Sequence, residues 1–145
     1  MMKKYSFQIN LIITILIMIF IFMQSALPAD VSDEESRVIV DFLANIIHRD
    51  TDTISLVVRK IAHFTEYLIL GIFLKLDVSG IIHLVQTKNN IISLLIGAFY
   101  AVSDEVHQSF VPGRSCELRD MIIDTFGVIV GIIIISILRR IREGK

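Results

Sequence analysis

The chain has 145 residues, of which 54% are hydrophobic and 20% charged, and its formal net charge is −1. This length suits one domain rather than a multidomain enzyme, and the abundance of Leu, Ile, Val and Phe excludes a disordered chain. Near-neutral charge gives no basis for nucleic-acid binding, and a single cysteine, Cys116, excludes both an intramolecular disulfide framework and a cysteine-cluster zinc site.

The apolar residues gather into four blocks parted by charged segments. The first, about 7–24, is broken only by Gln8, Asn10 and Thr14. It reads as a membrane span, since about 20 apolar helical residues cross the hydrocarbon layer. A cleaved signal peptide is the alternative, because Lys3 and Lys4 precede the apolar core and Ser25 and Ala26 follow it; Leu27 and Pro28 stand where a cleavage site wants small residues.

The connection over 25–59 has its own order. Ser32 and Glu35 have capping-box spacing, which marks a helix start. Ile39, Phe42, Leu43, Ile46 and Ile47 then recur at helical spacing. This predicts a short amphipathic helix, either lying on the outer membrane surface or using the same stripe to cap the outer end of the bundle.

Blocks two, three and four cover about 61–80, 91–110 and 121–138. The second is a span if the stems of Lys60 and Lys75 snorkel. The fourth is apolar around its whole circumference, unlike the one-sided stripe of a soluble bundle helix. Its Gly127 and Gly131 form a GxxxG packing face. The expected fold is therefore all-α: one domain, 1–145, a polytopic membrane protein with four transmembrane helices and a short amphipathic helix in the first extracytoplasmic loop.

With four spans both termini share a side, which holds Lys3, Lys4, Lys75, Lys88, Arg139, Arg140, Arg142 and Lys145. Arg37, Arg49, Arg59, Lys60, Arg114 and Arg119 fall on the other, together with most carboxylates. The positive-inside rule then makes both termini cytoplasmic in a multi-pass protein of the cell membrane.

Ionisable residues enter the blocks at one level. His63 and Glu66 lie about 3 and 7.5 Å into the second block, and Asp104, Glu105 and His107 about 4.5 to 9 Å from the end of the third. Asp124 lies about 4.5 Å into the fourth. All six fall just beneath the extracytoplasmic surface. Charge there is costly, so such a cluster reads as paired and functional, against the plainer reading of wet helix ends. Asp104, Glu105 and Gln108 share one edge of their helix, and Ala98 and Ala101 continue it inward, so that edge should face the bundle. Pro112 and Gly113 suit a type II turn that sets Arg114 above the carboxylates, to neutralise Asp104 or Glu105 or to grip a phosphate or carboxylate.

The string Lys60-x-x-His63-Phe64-x-Glu66-Tyr67-x-x-Leu70-Gly71, then Ser103-Asp104-Glu105-x-His107-Gln108-x-Phe110-Val111-Pro112-Gly113-Arg114, then Asp120 and Gly127, resembles the VanZ-like family. Ser25, Ser32 and Ser36 resemble the serines that follow its first span. Asp124 stands where that family more often has asparagine, and its extra charge suits a shared proton or a nearby cation. The resemblance implies a small bacterial membrane protein of four spans, with named members that confer low-level resistance to glycopeptide antibiotics, teicoplanin in particular. It implies no particular reaction and no cofactor.

The leading expectation is an envelope protein that binds, or modifies, an amphiphile at the outer leaflet, such as a lipid-linked cell-wall precursor or a lipoglycopeptide. Glu66, Glu105, His63 and Asp104 are the catalytic candidates, with either glutamate as general acid or base and His63 assisting. Lys60, Tyr67, Gln108, Arg114 and Asp120 are the ligand-binding candidates, and no residue is assigned to a metal. Two alternatives remain. One is a metal-dependent enzyme using His63, Glu66, Asp104, Glu105 and His107; the other is a noncatalytic network or proton relay in an oligomer joined through GxxxG.

Overall fold

The computed structural model describes residues 2–48, 50–81 and 85–144, except the side chains of 2–6, 35 and 143. The side chains of Lys3, Lys4 and Glu35, and all of Arg49 and Lys145, which entered the orientation and capping expectations, lie outside what is described. The described chain is helical: α1 (Met2–Ser25), α2 (Ala29–Ile47), α3 (Thr51–Ile81), α4 (Gln86–Gln108) and α5 (Leu118–Glu143). Among the described residues, two stretches are long and apolar enough to cross a membrane, Phe7–Ser25 in α1 and Leu118–Arg142 in α5. Ionisable residues recur along α3 and α4 and interrupt their apolar character.

The distribution of polarity is inverted relative to a water-soluble bundle. Ile12, Leu16, Phe20 and Met23 of α1, Phe99 of α4 and Ile137 of α5 are exposed, whereas Ser25, Lys75, Asp104, Glu105 and Asp124 are buried. Water would penalise both halves of that arrangement, and a hydrocarbon surround favours both.

Helix α3 is the central element and packs against each of the other four. Its tightest partner is α5, and glycines make the approach. A Cβ on Gly131 would overlap the carbonyl oxygen of Leu68, and one on Gly71 would overlap that of Val128. A Cβ on Gly127 would stand 2.6 Å from the Phe64 carbonyl oxygen. The backbones thus meet directly, where dispersion contacts drive association between apolar helices. The GxxxG face packs inside the chain, against α3. Tyr67, Leu70 and Leu74 of α3, Ile21 of α1, Ala101 of α4, and Val128 and Ile132 of α5 complete the core.

Helix starts and ends differ from expectation where local backbone chemistry overrides the pattern. Helix α2 begins at Ala29 after Pro28, and its first turn has no side-chain cap. Ser32 is already helical, its N–H donating to the Pro28 carbonyl at 3.1 Å, so the capping box is not used. Pro28 is the residue just before the helix, with ψ 151°, and the helical turn begins at Ala29, ahead of the serine. Helix α3 begins at Thr51, ten residues before its apolar block, and the Asp50 carboxylate accepts the Thr53 N–H at 2.7 Å. Helix α2 packs on α3, with Val40 buried and Leu43 half-buried, while Ile39, Phe42, Ile46 and Ile47 of its stripe are exposed.

Candidate functional site

The site lies where the C-terminal ends of α1 and α4 meet the N-terminal halves of α3 and α5. Asp104 is the centre of its hydrogen bonding. Ser25 Oγ donates to Asp104 Oδ2 at 2.8 Å, while Gln108 Nε2 donates to Ser25 Oγ at 3.2 Å and to Asp104 Oδ2 at 3.4 Å. The four-residue step from Asp104 to Gln108 sets both on one face, as the sequence spacing requires. Asp104 Oδ1 receives no hydrogen bond among the described residues.

Asp124 of α5 is fully buried, and neither of its carboxylate oxygens has a hydrogen-bond partner among the described residues. His63 Nδ1 of α3 stands 3.7 Å from Asp124 Oδ1, too long for a hydrogen bond. One ligand-type atom from each of His63, Asp104 and Asp124 falls within 4.8 Å of the others. The buried Tyr67 hydroxyl lies beside both aspartates. Glu66, one turn from His63, is partly buried and lines a cavity of about 270 Å³ with His63, Gln24, Ser36, Arg59 and Arg114.

Glu105 and His107 make contacts outside this group. Glu105 Oε2 accepts the Glu117 N–H at 2.8 Å, which ties α4 to the residue preceding α5. A carboxylate at a helix N-terminus is favoured by the exposed amides and by the macrodipole. His107 stacks on Phe22 with ring centroids 4.4 Å apart. Neither side chain belongs to the group around Asp124, so the five-residue metal set drawn from sequence is not assembled: Glu66, Glu105 and His107 leave it and Asp124 enters. Asp124 is the residue missed as a site candidate. Its signal was the shared depth with Asp104 and His63, together with its departure from asparagine.

Arg114 is placed by the turn before it. The Arg114 N–H donates to the Val111 carbonyl at 3.1 Å across Pro112 and Gly113, and Gly113 has φ +75°, as the turn demands. Its guanidinium then donates from Nε to the Leu27 carbonyl at 2.9 Å and from Nη2 to the Gln24 carbonyl at 3.3 Å. Arg114 therefore binds carbonyls at the end of α1 and in the link that follows it, rather than pairing with Asp104 or Glu105, a correction to the sequence expectation. Burial lowers its pKa, as does the nearby Arg59, while Asp104, Glu105 and Asp33 act in the opposite sense.

Lys60 Nζ bonds directly to Asp120 Oδ1, both residues being partly buried. This pair lines a cavity of about 200 Å³ together with Arg59, His63, Arg119 and Asp124. Lys60 and Ile123 also line an apolar groove of about 430 Å³, formed with Val57, Ile61, Phe64 and Phe126. A charged chamber and an apolar channel thus adjoin between α3 and α5.

Buried carboxylates and a histidine beneath the loops of an inside-out helical bundle define a small helical membrane protein with a polar site near one end. The VanZ/LLP1 family profile matches residues 10–139, and the chain belongs to that family. No curated protein and no solved structure matches the chain.

Proposed function

We propose that this VanZ-like protein sits in the bacterial cell envelope, binds an anionic amphiphile at the outer leaflet, and acts there in glycopeptide resistance. The observation that carries the reading is the junction of the charged chamber at Lys60, Arg119 and Asp124 with the apolar groove at Ile61, Phe64 and Phe126. A headgroup bearing phosphate or carboxylate suits the first, and an acyl or prenyl chain suits the second. A lipid-linked cell-wall precursor and a lipoglycopeptide such as teicoplanin both have this two-part chemistry.

In this reading α1, α3, α4 and α5 cross the membrane, and both termini are cytoplasmic. Helix α2 lies on the outer surface, and the exposed stripe Ile39, Phe42, Ile46 and Ile47 supports that placement. Tyr67 and Gln108 are buried in the polar layer, while Glu66 and His63 face the neighbouring cavity as candidates for proton transfer.

The test is expression in a susceptible host, with teicoplanin compared against a glycopeptide lacking an acyl chain. Protection should be selective for the acylated drug, and Phe126→Asp together with Lys60→Glu should remove it at unchanged membrane abundance. Equal protection against both drugs, or full protection by the well-expressed double variant, would sink the reading.

A further inference from the structure

We infer that His63, Asp104 and Asp124 form a binding site for one divalent transition-metal ion, with zinc as the ion it holds. The argument starts from unspent ligands. Asp124 is completely buried, yet neither carboxylate oxygen receives a hydrogen bond among the described residues. Asp104 is nearly as buried, and its Oδ1 is unpartnered while its Oδ2 is held by Ser25 and Gln108. Two carboxylates withdrawn from water are costly as anions, and a bound cation is one way to offset that cost. Lys60 bonds to Asp120, Arg114 donates to the carbonyls of Gln24 and Leu27, and Arg59 pairs with Asp33, which leaves His63 as the basic side chain standing against Asp124.

The geometry favours an ion over a direct contact. His63 Nδ1 and Asp124 Oδ1 are 3.7 Å apart, beyond hydrogen-bond range. Two ligands about 2.1 Å from a common tetrahedral ion stand about 3.4 Å from each other, so this pair is close to the edge of such a site. The third ligand atom, from Asp104, is within 4.8 Å of both, so a small inward movement completes the set. One imidazole and two carboxylates make a mixed nitrogen and oxygen donor set that suits zinc, and zinc outranks manganese in affinity for such ligands.

The surroundings have the features of a supported metal site. Ser25 and Gln108 fix the Asp104 carboxylate from behind and leave its other oxygen pointing free, the usual outer-shell arrangement. Cavities of about 200 and 270 Å³ both reach His63, one also reaching Asp124 and the other Glu66 and Arg114. They supply a route for the ion and room for a fourth ligand. The site lies in the same polar layer as the proposed amphiphile chamber, but its test reads metal content rather than drug resistance, so the two readings fail separately.

The experiment uses full-length protein in detergent, stripped with chelator, dialysed against zinc alone, and assayed for bound metal after gel filtration. The expected result is about one zinc per chain. Asp124→Asn and Asp104→Asn, recovered as monodisperse protein, should fall at least about tenfold in affinity, and Ser25→Ala should weaken binding by about tenfold through the Asp104 carboxylate. His107→Gln should bind as the unaltered chain does. Should the aspartate variants fail to fold, X-ray absorption on the zinc-loaded unaltered chain decides the matter: a shell of nitrogen and oxygen alone, with an imidazole, supports the site. Absence of stoichiometric zinc overturns the inference, as does a sulfur ligand from Cys116, or zinc retained undiminished by both aspartate variants.

Discussion

Ser25 at the end of α1 and Asp104 of α4, 79 residues apart in sequence, share a 2.8 Å hydrogen bond between fully or nearly fully buried partners. The contact joins two helices that otherwise touch little, and its hydroxyl also accepts from Gln108. Ser25→Ala should therefore destabilise the folded protein by about 1–2 kcal/mol, since it strips a donor from one buried group and an acceptor from another. Thermal unfolding in detergent reads this, and Ser25→Thr should recover part of the loss.

The glycine contacts between α3 and α5 should be far less forgiving. In Gly131→Ala the new methyl group meets the backbone of Leu68, which cannot rotate away, so the helices must separate. A loss of about 2–3 kcal/mol is expected, at the upper end for overpacking. Gly80→Ala is the control: its methyl group would meet the Phe7 ring at 3.0 Å, and a side chain can give way. Comparable melting shifts for the two variants would contradict the packing account.

Arg114 should tolerate no lysine. Its fork serves two carbonyls, those of Leu27 and Gln24, and an ammonium on a flexible stem cannot hold both in one plane. Arg114→Lys should cost about 1 kcal/mol and Arg114→Ala about 2 kcal/mol. Chemical denaturation monitored by helix content checks the order of the series.

Lys60 and Asp120 offer a coupling measurement. Each is partly exposed, so the pair should contribute only about 0.5–1 kcal/mol in a double-mutant cycle of Lys60→Met and Asp120→Asn. Coupling near zero would mean that the ammonium is held by another group.

Cys116 is exposed in the segment between α4 and α5. In the proposed topology it faces outward, so a membrane-impermeant maleimide should label it in intact cells. Labelling that requires lysis would reverse the orientation.

The helices and the polar layer were legible because each left a mark on side-chain pattern. Long, mostly apolar runs mark the cores of α1 and α5, and helical rise alone puts His63, Asp104 and Asp124 at one depth. What escaped the reading was settled by backbone. Helix α2 starts at Ala29, directly after Pro28, and nothing in the spacing of Ser32 and Glu35 reveals that the turn has already been made. Arg114 was expected to seek a carboxylate, but its acceptors are main-chain carbonyls, which have no signature in sequence. The first turns of α3, Thr51 onward, carry too many polar residues to register as part of an apolar block. The Gly127 and Gly131 motif announced close packing without naming the helix it would meet.

The end of α1 is synthesised first and finished last. The bonds that close it, from Ser25 to Asp104 and from Arg114 to the carbonyls of Leu27 and Gln24, span 79, 87 and 90 residues. While the ribosome extends α2 and α3, the last turn of α1 has no partner for its serine and no cap for its carbonyls. Contacts of such separation form late. The nascent chain must therefore hold an unfinished helix end until the turn at Pro112 and Gly113 emerges, and a chain arrested before Arg114 would carry a first helix open to proteolysis at Gln24–Leu27.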